Sequence, residues 1–311
     1  MKRRRFLQQT TMLAAAGASA PLASLTTPVR AALRERGDDM PADETFPIVA
    51  NYYQQFDADY SRKVPGASYG GWRKGEIQLS AEHTAVVVMH AWDCGTFEQF
   101  PGVWRSVEYI PRSIEISRTV FPRLLAAVRR SRLPLFHVVG GGDYYKACPG
   151  YQRAVQLAGE ALPSLLPVES DPTLQALQQF RSEKVWRGAH NNEDGAKLAQ
   201  ALDFLPEARP LDTEGVAEDT PQLLALCREA GVNHLIYIGF AIDACLLMSP
   251  GGMMDMSRHG VMCSAVRQAV TAVENRETAR TEAAKELALW RVAVMFGFVF
   301  DVDDLVRALA M

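Results

Sequence analysis

One of the five cysteines stands where a nucleophile would be useful. In "HLIYIGFAIDACLLM" an apolar run from His234 to Phe240 passes through Ala241 to Ala244 into Cys245, and a helix is predicted to begin nearby. Backbone N–H groups at such a strand-to-helix turn lower a thiol pKa and can hold an oxyanion, which marks Ala244 and Cys245 as donors. Cys94, Cys148, Cys227 and Cys263 have no comparable context and read as the buried small residues that free cysteines usually are. A second stretch, "VVVMHAWDCGTF", carries a buried-looking strand into His90, Trp92 and Asp93. Ligand sites in open α/β sheets form where strands end. A histidine there is a base for a thiol, and Asp93 is either a second base or the group that orients His90.

Elements able to position these residues alternate along the chain. "TAVVVMH", "LPLFHVV" and "HLIYIGF" are continuous apolar runs, as expected for parallel strands covered on both faces. Between them, "SIEISRTVFPRLLAAVRRSR" has helical spacing with a kink at Pro122, and "TPQLLALCREAG" is a helix capped by Gly231. A short helix is predicted over 173–180. "GVMCSAV" and "VAVMFGFVF" are further strand candidates, separated by the charged helix "NRETARTEAAKELALW". The pattern predicts one three-layer α/β/α domain over 81–311 with a mainly parallel sheet. Residues 32–80 show no dominant period and are expected to form an irregular arm packed by its aromatics.

The chain has 311 residues, 48% hydrophobic and 22% charged, which suits an enzyme-sized globular protein. It opens on "MKRRRFLQQT", and Thr10 to Leu25 carries no charge. Arg3, Arg4, Phe6 and Leu7 match the twin-arginine pattern, so 1–31 is predicted to be a signal peptide removed near Ala31, with export of the folded protein to the periplasm. The apolar run is too short and too rich in small residues for a stable membrane anchor. Removing its five basic residues takes the net charge from −3 to −8, which argues against nucleic acid or an anionic membrane as partner. The odd, scattered cysteines imply no disulfide framework. No cofactor motif is present.

Around Cys245 the chain resembles the isochorismatase-like cysteine hydrolases, whose nucleophile segment is G-[VF]-A-T-x-x-C; Gly239-Phe240-Ala241-Ile242-Asp243-Ala244-Cys245 is similar to it, and "MHAWD" is similar to the "DMWD" segment of one branch. The similarity spans roughly 84–310. It implies a Cys-Asp-Lys triad on a parallel-sheet domain, a C–N bond cleaved through a thioester, and a non-proline cis peptide near Phe240-Ala241. Two triad positions depart from the pattern. His90 stands at the family's aspartate, and in "SEKVWRGAH" Arg187, or Lys184 three residues earlier, falls where the family has its lysine. Arginine can stabilise a thiolate or oxyanion but cannot shuttle a proton.

The expected activity is therefore that of an exported cysteine hydrolase acting on an amide-like C–N bond of a small molecule. Cys245 attacks, His90 accepts its proton, and Arg187 or Lys184 favours the anionic forms. A competing expectation is a non-catalytic ligand-binding or assembly protein with a degenerate triad. His137 and His190 are expected at the same end of the sheet as His90, which raises a metal-dependent alternative, but the three lack ligand spacing and no metal is assigned. The Met-rich "MSPGGMMDM" segment suits either a core-facing helix or the interface of a homo-oligomer.

Overall fold

The computed structural model describes residues 44–159, 169–211 and 214–310. The predicted signal peptide and the first part of the predicted arm lie outside these residues.

The described chain runs β1 (Thr45–Gln54), β2 (Gly71–Ser80), β3 (Thr84–Met89), β4 (Trp92–Asp93), α1 (Pro101–Ser106), α2 (Ile110–Thr119), α3 (Phe121–Arg130) and β5 (Leu135–Val138). It continues with α4 (Pro149–Ala158), α5 (Pro172–Lys184), α6 (Asn192–Ala201), β6 (Asp203–Phe204), β7 (Gly215–Ala217), α7 (Thr220–Ala230) and β8 (His234–Gly239). The last elements are α8 (Cys245–Met248), α9 (Met253–Arg258), β9 (Met262–Val270), α10 (Ala283–Met295), β10 (Val299–Phe300) and α11 (Val302–Ala308). Eight strands form one sheet in the order β2-β1-β10-β9-β8-β3-β5-β7, and β4 pairs with β6 beside it.

From β10 to β7 every pairing is parallel, and the strands at its centre are apolar on both faces. All six residues of β3 and of β8 are buried. Alternate side chains of a strand point to opposite faces, and that alternation sorts the core into two layers. Val87, Met89 and Tyr237 pack with Leu223 and Leu226 of α7 on one side. Val86, Val88, Ile236 and Ile238 pack with Phe121, Leu124 and Val128 of α3 on the other. The architecture is the three-layer α/β/α sandwich with a mainly parallel sheet that the strand pattern predicts.

Helix ends follow local chemistry. The Asp219 side chain accepts from the Gln222 N–H at the start of α7, and Gly231 closes it in the left-handed conformation, with φ of +69°. Pro122 ends rather than kinks the predicted long helix. Lacking an N–H, it sits in the first turn of α3, and α2 stops at Thr119.

Three expectations need correction. The arm is not irregular after residue 44: β1 and β2 form an antiparallel hairpin with ten registered pairs, and β1 adds it to the sheet antiparallel to β10. Its period of two is masked by half-burial, since Leu79 is buried and Glu76 and Gln78 are exposed around a partly covered Ile77. "VAVMFGFVF" begins as helix, because α10 continues to Met295 with Leu289 and Val292 on its buried stripe, leaving only Val299–Phe300 as strand. The helix predicted over 173–180 is longer, from Pro172 to Lys184. Among the described residues no helix is long and apolar enough to cross a membrane.

Candidate functional site

Cys245 is delivered by a sharp departure from β8. Gly239 has φ of +121°, and a Cβ there would lie 2.0 Å from the Met89 carbonyl oxygen, so only glycine fits between the two central strands. The Phe240 N–H donates to that same oxygen (3.1 Å), and the Phe240–Ala241 peptide is cis. The Ile242 N–H then donates to Thr271 (2.7 Å) and the Leu246 N–H to Ala241 (3.0 Å), fixing the turn on both sides of the cysteine. Cys245 opens α8 half-buried, and neither its thiol nor its backbone N–H has a hydrogen-bond partner among the described residues. Ala244 is less free, as its N–H makes a long bond to the Ala241 carbonyl (3.3 Å).

Burial holds the other cysteines as thiols. It pushes Cys227 and Cys263 to about 12 in the core. Cys94 is pushed to about 11 by burial and by the Asp93 charge, with the Arg187 guanidinium pulling the other way. Cys148 is raised by burial as well.

Sequence reasoning missed Tyr109. Its hydroxyl is kept protonated chiefly by burial and then by the neighbouring Cys245, Cys94, Asp243 and Glu108. The residue caps the start of α2, where Pro111 in "EYIPRS" marks a helix N-terminus; that proline was the available signal. Cys245, Tyr109, Cys94, Asp93 and Arg187 thus form a chain of electrostatic neighbours.

His90 lies on the other side of β3. Its backbone is left-handed, with φ of +52°, and its N–H donates to Val138 (2.9 Å). The ring stacks on Trp92 at 4.4 Å, Trp92 Nε1 donates to the Tyr144 hydroxyl (2.8 Å), and Gly140 lies beside His90 Nε2. Burial lowers the imidazole to about 4, opposed only by a hydrogen bond to the Val139 carbonyl. Nδ1 is buried without a partner, and no hydrogen bond joins His90 to Cys245 or Asp93 among the described residues. Asp93 accepts the Gly95 N–H (2.9 Å) instead.

Arg187 follows a second cis peptide, Trp186–Arg187, and its guanidinium lies 4.6 Å over the Trp186 ring. Nη1 is buried without an acceptor. Lys184 is exposed on the last turn of α5. The expected convergence of histidines does not occur. His137 is buried against Glu214 (2.8 Å), which Arg129 also engages, and His190 is exposed. Among the described residues no group of three His, Cys, Asp or Glu side chains is placed to hold a metal ion. A cleft of about 670 Å³ opens beside Asp93, lined by Trp104, Ile114, Arg118, Leu205 and Glu207.

No family model matches the chain, and no curated protein matches it. Solved structures resemble it remotely. A cysteine hydrolase from Pseudomonas syringae pv. phaseolicola 1448A is 13% identical over 75% of this chain and 94% of that one, with a TM-score of 0.43. An isochorismatase-like hydrolase from Alkaliphilus metalliredigens is 14% identical over 74% and 99%, with a TM-score of 0.42. N-carbamoylsarcosine amidase from Thermoplasma acidophilum is 16% identical over 71% and 97%, with a TM-score of 0.38. At these scores the likenesses carry no inference about chemistry, which rests on the residues themselves.

Proposed function

We propose that this protein is an exported cysteine hydrolase that cleaves an amide-like C–N bond of a small molecule. One observation supports this above the others: Cys245 is half-buried at the C-terminal end of a central strand, with a free backbone N–H beside its thiol, while burial keeps the other four cysteines protonated. In the proposed reaction the sulfur bonds to the carbonyl carbon, and the Cys245 N–H donates to the developing oxyanion. The amine then leaves with a proton, and water hydrolyses the thioester.

His90 and Arg187 supply the proton transfer and the charge in this reading. His90 is the proposed proton acceptor, through the unpartnered Nδ1; burial keeps its imidazole neutral at pH 7 but also weakens it as a base, so the transfer waits for bound substrate to bring the thiol proton within its reach. Arg187, whose Nη1 has no acceptor, favours the thiolate and the oxyanion. Tyr109 joins them as a protonated hydroxyl beside the sulfur. Export rests on the Arg3-Arg4-Arg5-Phe6-Leu7 segment.

A second reading, a ligand-binding or assembly protein on the same scaffold, is favoured by the absence of a hydrogen bond between His90 and Cys245. The two separate in one experiment. Iodoacetamide alkylation of Cys245 is followed against pH by peptide mass spectrometry in the wild type and in His90→Ala, alongside acyl-enzyme trapping with a panel of small amides. The hydrolase reading expects Cys245 to be alkylated faster than the other four cysteines, more slowly in His90→Ala, and to carry an acyl adduct. An ordinary thiol in both proteins with no adduct, or normal amide turnover in Cys245→Ala, overturns it.

A further inference from the structure

The helix α5 leaves an apolar stripe uncovered. At about 100° per residue, Leu174, Leu177 and Phe180 share an arc of about 120°, and Thr173, Arg181 and Lys184 fall on the same side. Ser182 lies about 140° from Leu177 around the helix axis, and it is Ser182 that faces the body, accepting a hydrogen bond from Asn192 Nδ2 (2.9 Å). The helix stands clear of the core on every side, since each residue from Pro172 to Arg181 is exposed, and its apolar stripe is left uncovered. No residue of this 13-residue helix is buried, and Leu177 and Phe180 are 59% and 60% exposed. Val185 and Trp186, which follow, are equally open and extend the apolar surface toward Arg187.

A helix of this length gains little stability from propensity alone and usually depends on a buried face. A contiguous exposed apolar stripe marks an interaction surface. The charges along it identify the partner. Glu169 and Asp171 lie at the N-terminal end of α5, while Arg181 and Lys184 lie at its C-terminal end without an ion-pair partner among the described residues. The pattern is complementary to its own reverse. Two copies of α5 packed antiparallel about a two-fold axis at Leu177 set Leu174 of each against Phe180 of the other. The same arrangement brings Arg181 and Lys184 of each copy beside the Glu169–Asp171 turn of its mate.

We infer that α5 is a self-association surface on which a second copy of this chain docks through an antiparallel α5 pair centred on Leu177. Such an interface is isologous, as two-fold dimers require. Lys184 thereby acquires a role outside the catalytic site, and the partner sits next to the segment that carries Arg187.

The test uses the full chain, measured by size exclusion with light scattering at micromolar concentration. The wild type is expected at about twice the monomer mass, and Leu177→Asp with Phe180→Asp at the monomer mass with an unchanged circular dichroism spectrum. Lys184→Glu should weaken the dimer, and adding Glu169→Lys should restore it. Leu177→Cys should cross-link to itself on mild oxidation beyond the wild-type background, because residue 177 meets its own mate on the axis. A monomeric wild type, an oligomer indifferent to the Leu177 and Phe180 changes, or no additional cross-link in Leu177→Cys overturns the inference.

Discussion

The ends of the two central strands solve opposite problems. β8 breaks off at Gly239, whose close approach to Met89 turns the chain outward and leaves Cys245 half-buried with an unbonded N–H. β3 ends at Met89 and is followed by His90, whose left-handed backbone folds the imidazole back under Trp92, where burial lowers it to about 4. One end leaves its side chain open to approach; the other covers it. A nucleophile needs an open approach and free donors, whereas a base kept neutral needs only to be dry and within reach when substrate arrives.

Four changes sharpen or break that contrast. The largest effect is expected for Cys245→Ala, which should remove amide turnover entirely and eliminate the reactive alkylation site; turnover within tenfold of wild type would mean that the β8 end is not the chemical one. Next is Gly239→Ala. Its Cβ would meet the Met89 oxygen at 2.0 Å from a backbone already at φ of +121°, so a loss of roughly 3 kcal/mol or more is expected in urea melts. A loss below 1 kcal/mol would show that the strand ends can part.

His90→Gln tests the covered group through pH. Because burial lowers the folded-state imidazole from 6.5 to about 4, the unfolded chain binds the proton first. The stabilisation is complete above about pH 6.5 and is lost as pH falls toward 4, amounting to roughly 3 kcal/mol. His90→Gln should flatten part of that acid slope. His234 and His137, also lowered by burial, account for what remains. An unaltered slope would place His90 in solvent. The smallest effect is expected for Arg187→Gln, a fall of about 10- to 100-fold in turnover, measured as kcat with the fold verified by circular dichroism. No change would leave the orphaned Nη1 without a catalytic task.

Much of the scaffold was legible in local pattern. The β-branched runs of β3 and β8, the spacing of α7 and its Gly231 cap each reflect one element's own periodicity or backbone need, which a short window of sequence contains. The β1–β2 hairpin was not legible, because half-buried strands blur the alternation that would announce them. The site divides in the same way. Cys245 stands out because strand, turn and thiol are contiguous. Tyr109 does not, since its place beside Cys245 and Cys94 depends on where α2 crosses the sheet. Lys184 and Arg187 are three residues apart yet part company, one exposed on α5 and the other with a buried guanidinium nitrogen.

By itself the sequence determined a parallel-sheet domain, the strand ends that carry Cys245 and His90, and the helix stop at Gly231. Those features arise from side-chain size, backbone freedom and periodicity, which are properties of neighbours along the chain. Tertiary structure alone decided that His90 is dry and turned toward Val139, that Tyr109 attends the thiol, that the three histidines never meet, and that α5 leaves its apolar stripe uncovered. Burial, desolvation and the crossing of distant segments exist only once the chain has folded, and they set which groups are charged, which are covered and which are left to find a partner.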